Sequence, residues 1–227
     1  MAEQSKTVDA ALRLLGILGS GPDGGLPDSS AAALSRQLRL SRTATGRILT
    51  TLEAHGLARR TERGWDVGFG VLALAGRVEP VLRSAARPAL ERLAARFDET
   101  AVLSVREGGE AVAVDQVVAG HRIVQVRYRP GTRHALDRAA HGRALLPEGV
   151  GAGHVVSEGE LEAGVKGVAA PIFTSGAGGT SGGGAGGLPV ASIGLVAPAH
   201  RFPPEPDVVA AVRDAARTVT AELGAGP

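Results

Sequence analysis

LSRQLRLSRTATGRILTTLEAHGLARRTERGWDVG, residues Leu34 to Gly68, reads as two short helices and a hairpin with very little chain between them. Ser30, just upstream, is a good cap for a helix over 31–38 that carries Leu34 and Leu38. Arg39 and Leu40 make a tight connection, and Ser41 caps a third helix that Gly56 terminates. At 100° per residue, Ala44, Ile48, Leu52 and His55 share an inward face of that helix. Thr43, Gly46, Arg47 and Thr50 point the other way, with Arg42 and Glu53 flanking. Gly46 costs about 1 kcal/mol relative to alanine in mid-helix. It is either a tolerated glycine or a place where another backbone comes close. Beyond Gly56, residues 57–61 and 65–67 suit two strands joined by a turn at 62–64.

Upstream, Val8, Ala11, Leu12, Leu15 and Leu18 recur at helical spacing, so 7–19 is expected to be an amphipathic helix. The turn-forming stretch GSGPDGGLPDSS (19–30) separates it from the rest. Helix, helix, short turn, helix, basic hairpin is the order of a winged helix-turn-helix. Its charge agrees. The net charge of the chain is only +2, yet Leu34–Gly64 holds seven arginines against Glu53 and Glu62. Such a basic patch suits a nucleic-acid reader, although a solvated helix face has the same composition. On the first reading, Ser41, Arg42, Thr43, Gly46, Arg47 and Thr50 form the surface that enters a major groove. Arg59, Arg60 and Arg63 of the hairpin then reach phosphates.

Composition narrows the alternatives. With 44% hydrophobic residues and 3% aromatic ones, the chain can bury a core built from Ala, Val, Leu and Ile. No apolar run approaches a membrane span, no secretory signal is apparent, and the absence of cysteine excludes disulfides and thiolate metal sites. A cytoplasmic location without membrane association is expected. The histidines, His55, His121, His134, His141, His154 and His200, lack zinc-helix spacing, so no metal, cofactor or catalytic set is expected. Residues 182–187 satisfy G-x-G-x-x-G and 179–183 satisfy G-x-S-x-G, but both fall in a glycine-rich tract (175–188) followed by a strand, where chance explains them.

The rest of the chain alternates helices and strands. A linker helix is expected over 69–79, and a second helix over 88–97 with Pro88 in its first turn. Strands are expected at 100–107, 110–118, 121–128, 165–173 and 189–197, with a helix at 138–146 and a closing helix at about 206–223. The fold class expected is α+β: a winged helix-turn-helix (1–68), a helical linker (69–79) and an antiparallel-sheet domain (80–227).

The Leu34–Arg60 run followed by GWDVGFGVLALAG resembles the DNA-binding half of the IclR family of bacterial transcription regulators. HALDRAAHGRALL (134–146), VKGVAAPIF (165–173) and ASIGLVAPAHRF (191–202) resemble later segments of that family, in the same order. The resemblance implies a GAF- or profilin-like C-terminal sensor and oligomerisation domain. It also implies a dimer or tetramer on a double-stranded operator, and repression tuned by a small-molecule effector. Effector contacts are implied at Ala139, Ala140, His141 and Gly142, at Gly167, and at Gly194 and Val196. His141 would donate to an anionic effector or titrate near neutral pH, unless it is simply a satisfied core residue. Two departures bear on that site. The strand hydroxyls usual in the family are replaced by Gly194 and Val196, which makes the wall drier and favours a more apolar effector or none. The segment 147–164 is short, which suggests an open pocket. An alternative reading is a ligand-sensing or protein-interaction module with a degenerate DNA-binding domain.

Overall fold

A computed structural model describes residues 5–20, 28–120, 124–174 and 188–224. The chain divides into two compact units, Met1–Val78 and Glu79–Pro227. The glycine-rich tract falls outside the described residues except for Leu188.

The first unit is built from α1 (Lys6–Gly19), α2 (Ala31–Leu38), α3 (Arg42–Ala54), the hairpin β1 (Ala58–Thr61) and β2 (Gly64–Val67), and a short α4 (Gly70–Ala75). The serine caps form as the sequence demands. Ser30 Oγ accepts from the Ala33 amide at 3.2 Å and Ser41 Oγ from the Ala44 amide at 3.1 Å. Arg39 adopts a left-handed conformation (φ 56°) to end α2 in one residue, so that α3 starts almost at once. Leu14, Leu34 and Leu49 are completely buried at the centre, with Leu18, Leu38, Ile48, Leu52, Ala58 and Trp65 around them. Burying each such leucine contributes about 1.5–3 kcal/mol.

The helix faces are rotated from those expected. In α1 the buried residues are Ala10, Leu14 and Leu18, while Val8 and Leu12 lie exposed. In α3 they are Thr45, Ile48, Leu49 and Leu52, with His55 exposed and Ala44 only half-buried. A threonine disguised the true seam of α3, because the polar residue Thr45 is completely buried there. The expected linker helix shortens to α4, none of whose residues is buried.

The second unit is a six-stranded antiparallel sheet in the order β5-β4-β3-β8-β7-β6. Its strands are β3 (Thr100–Glu107), β4 (Glu110–Val117), β5 (Arg133–Ala135), β6 (Val155–Glu158), β7 (Val165–Ile172) and β8 (Ala191–Pro198). Helices α5 (Pro80–Phe97) and α8 (Glu205–Gly224) cover one face. There Leu90 and Leu93 of α5 and Val208, Val212 and Val219 of α8 meet Ala101, Leu103, Val168, Ala170, Ile172, Ile193 and Leu195. The strict alternation along β7 and β8 sends Gly167 and Ala169, and Ser192, Gly194 and Val196, to the opposite face. That face carries α6 (Ala139–Arg143) and the chain around Val126 and Tyr128, with α7 (Pro147–Ala152) following.

Three expectations are corrected here. Pro88 lies inside α5, which begins at Pro80. Both Pro88 and Ser84, whose carbonyl the proline leaves without a donor, are exposed, so water serves it while the buried stripe holds the helix together. Residues 124–130 form an irregular crossing segment rather than a strand. It is pinned where Thr100 Oγ1 donates to the Val126 carbonyl at 2.5 Å and Gln116 Oε1 accepts from the Tyr128 amide at 3.0 Å. The helix expected over 138–146 ends at Arg143.

Candidate nucleic-acid surface and ligand cavity

In the first unit the exposed side of α3 presents Arg42, Thr43, Arg47 and Thr50, with Ser41 at its start and Gly46 half-buried. A Cβ built at Gly46 would meet nothing within 4 Å, so packing within the unit does not require a glycine there. Arginines near this ridge divide into two groups. Arg36 reaches Asp28 at 3.8 Å and Arg60 reaches Glu53 at 3.7 Å, Arg60 also lying over the Trp65 ring. Arg59 is the most committed. Its guanidinium holds Asp66, donates to the Val67 carbonyl at 3.1 Å and stacks on Phe69 at 4.8 Å. Arg42, Arg47 and Arg63 have no carboxylate partner among the described residues, and neither does Arg39 in the turn. Arg39 was missed because its position looks like a mere connector; only the left-handed turn brings it to the α2–α3 corner. The hairpin is anchored by the Trp65 amide donating to the Ser29 carbonyl at 3.0 Å.

In the second unit a cavity of about 420 Å³ opens beside α6. Of the residues expected there, Ala139, Ala140, His141, Gly167 and Val196 line it, whereas Gly142 and Gly194 do not. Both of those glycines serve packing. A Cβ at Gly194 would lie 2.2 Å from the Val168 carbonyl oxygen, and one at Gly142 would lie 2.7 Å from that of Leu136. Gly167 differs: an added Cβ would make ordinary contacts at 3.4 Å to Val196 and 3.5 Å to Ser157, so its missing side chain enlarges the cavity. The remaining wall, which includes Val126, Tyr128, His134, Ser157, Glu160 and Leu161, was not expected. Segment 147–164 is more structured than its length suggests, since it folds into α7 and β6 and its loop supplies Glu160 to Glu162 to the wall.

The start of α6 is already occupied. Glu160 Oε2 accepts from the Ala139 amide at 2.7 Å and Ser157 Oγ accepts from the Ala140 amide at 2.8 Å. Arg143 holds the other Glu160 oxygen at 2.9 Å. Ala139 itself sits at φ 57°, a left-handed conformation that costs a non-glycine residue roughly 1–2 kcal/mol. The two amides expected to grip an anion therefore hold an internal carboxylate and a hydroxyl.

His141 is 2% exposed, and burial together with the neighbouring His134 lowers its pKa to about 3. The expected titration near neutral pH is thus replaced by a neutral ring. Ser192 Oγ donates to the His141 carbonyl at 2.9 Å, so toward Nδ1, 3.4 Å away, the same oxygen can only accept. Nδ1 then carries the proton. His134 Nδ1 lies 3.0 Å from the Ala135 carbonyl, which fixes the same tautomer in the neutral ring. Nε2 of both rings, and Tyr128 Oη, are buried without a hydrogen-bond partner among the described residues. Tyr128 stacks on His141 (6.0 Å between centroids) and meets His134 edge-on (5.8 Å), and its own burial raises its pKa.

A helix-turn-helix with a wing, followed by an antiparallel sheet enclosing a small-molecule-sized cavity, defines a two-part regulator fold. Sequence comparison gives the same answer. The model of the IclR helix-turn-helix domain matches residues 7–62, that of the bacterial transcriptional regulator IclR C-terminal region matches 78–150, and together they cover more than half of the chain. The chain belongs to the IclR family of bacterial transcriptional regulators, which is not an enzyme family. HTH-type transcriptional regulator Rv1719 of Mycobacterium tuberculosis is 34% identical over 143 residues, 62% of this chain and 53% of that protein. KipR of Bacillus subtilis is 29% identical over 152 residues, 64% and 57% respectively, so the matches span about half the length of these relatives. Among solved structures, an IclR homologue of Microbacterium hydrocarbonoxydans complexed with 4-hydroxybenzoate superposes with a TM-score of 0.75 at 21% identity, covering 96% of this chain and 99% of that one. Thermotoga maritima IclR gives 0.74 at 20% identity, covering 96% and 98%.

Proposed function

We propose that this protein is a cytoplasmic, sequence-specific DNA-binding regulator that acts as a homodimer or tetramer on a two-fold related operator, with a small molecule in the α6 cavity modulating binding. One recognition helix covers only a half-site, which is why a paired arrangement is needed. The observation that carries the reading is the ridge of α3, where Arg42 and Arg47 stand exposed beside Thr43 and Thr50 with no carboxylate partner among the described residues. Arg42, Thr43 and Arg47 read base edges, Ser41 and Thr50 border the groove, and Gly46 lets the duplex approach. Arg63 at the hairpin tip contacts phosphate, Arg60 contributes after releasing Glu53, and Arg39 adds a further cation. Arg59 is assigned to holding the wing to Phe69. A 4-hydroxybenzoate complex of the same fold supports a small-molecule role for the cavity.

The test is a pair of substitutions on the upstream operator and on random duplex. Arg47→Ala should cost about 1–3 kcal/mol on the operator and relax its discrimination. Arg63→Ala should weaken both duplexes alike and reduce the salt slope by about 1. Identical behaviour of the two variants on both duplexes would refute the division of roles.

A further inference from the structure

We propose that the α6 cavity selects small uncharged molecules that donate hydrogen bonds, such as phenols and primary amides, and rejects carboxylates. This rests on the effector-sensing reading given above and names the chemistry it leaves open.

Two sets of observations lead there independently. First, several of the groups able to bind an anion already have partners. Both amides at the start of α6 already have acceptors, Glu160 and Ser157, at 2.7 and 2.8 Å. Arg143 is bonded to Glu160 and Glu148, and Arg133, on the cavity wall, is bonded to Glu107 and Glu110. Glu160 and Glu162 lie on the same wall as Arg127 and Arg133, so the formal charge of the wall is balanced and offers an anion no net attraction.

Second, what the wall leaves unpaired asks for donors. His134 and His141 are 8% and 2% exposed, both line the cavity, and the Nε2 atom of each is buried without a partner among the described residues. Because Ser192 and the Ala135 carbonyl hold the proton on Nδ1, the Nε2 atom of each ring in its neutral form is a bare lone pair. A buried acceptor left without a donor costs about 1–3 kcal/mol, so a ligand that supplies an O–H or N–H recovers that energy. A carboxylate has no proton to give and would place its lone pairs against two others. Tyr128 Oη, the third unpartnered atom, can donate to or accept from the same ligand. The apolar remainder, Val126, Val165, Val196 and the space left by Gly167, suits a ring or short aliphatic body.

Matched probes on the full chain, at pH 8 and followed by ligand-observed NMR and thermal shift, test this. Phenol should bind at least tenfold more tightly than anisole, whose hydroxyl proton is replaced by methyl, and benzamide at least tenfold more tightly than benzoate. Tyr128→Phe, His134→Phe and His141→Phe should each weaken phenol, and long-range nitrogen–proton NMR of the unliganded chain should find both Nε2 atoms unprotonated. Tyr128→Phe keeps the ring and is the variant of choice if the histidine variants unfold. Benzoate binding as tightly as benzamide, or anisole as tightly as phenol, overturns the donor rule while leaving effector sensing intact. Protonated Nε2 atoms overturn it without any ligand. If no probe binds at millimolar concentration, both the donor rule and the sensing reading fail.

Discussion

The ridge of α3 and the cavity beside α6 are both polar, but opposite in how their polarity is satisfied. On α3 the guanidinium groups of Arg42 and Arg47 stand in water, which solvates them at almost no cost to folding. Beside α6 two imidazole nitrogens and a phenol oxygen are buried with no hydrogen-bond partner among the described residues. The ridge is ready for a partner through charge acting over about a Debye length. The cavity is ready for one through unmet hydrogen bonds acting only at contact. One region trades affinity against salt, and the other trades it against chemical complementarity.

The widest gap this contrast forecasts is in stability. Leu49→Ala, cut from the closed centre beneath the ridge, should cost about 2–5 kcal/mol. Arg42→Ala on its surface should stay within about 0.5 kcal/mol. Trp65, the only tryptophan, lies in the same core and reports unfolding by fluorescence during denaturant titration. Equal losses for the two variants would mean the ridge is packed rather than presented.

Acid should separate the two regions next. The pKa of His141 in the folded protein, about 3, lies below the 6.5 of an unfolded histidine, so the unfolded chain binds more protons between those values. Its contribution is therefore complete above pH 6.5 and is lost as pH falls toward 3, at up to about 1.4 kcal/mol per pH unit. Comparing denaturation of the wild type and His141→Phe from pH 4 to 7 should show that slope removed in the variant. The smallest effect belongs to Gly46→Ala. It should raise stability by about 1 kcal/mol, since the new methyl meets nothing, while lowering operator affinity on the proposal that this position faces the duplex. Unchanged operator affinity in a gel-shift titration would reduce Gly46 to a neutral glycine.

Much of the first unit is legible in order along the chain. Serine caps, a glycine stop and a basic hairpin are local signals, and local hydrogen bonds realise them: Ser30, Ser41 and Gly56 act where their spacing says. The rotation of α1 and α3 was not legible, because several apolar stripes fit each helix and the neighbouring helices choose among them. Val8 and Leu12 belong to one such stripe, and the core uses Ala10 and Leu14 instead. The cavity was half visible. Resemblance pointed to the α6 start and the β7–β8 wall, but Tyr128 lies in a segment expected as a strand that folds irregularly, His134 opens the resembling run without a role attached to it, and Glu160 lies in a loop.

The sequence alone therefore determined the elements of the first unit and their order, most of the long strands of the second, and where positive charge gathers. Caps, periodicity and composition act between residues a few positions apart, so they survive being read one residue after another. Only the tertiary structure decided which polar groups are spent and which remain open. Whether Arg59 is held by Asp66 or left for DNA, and whether Glu160 fills the place of an anion, depends on distances between residues that the sequence does not encode as neighbours. Hydrogen bonds are short-ranged and directional, so those pairings exist only once the chain has folded.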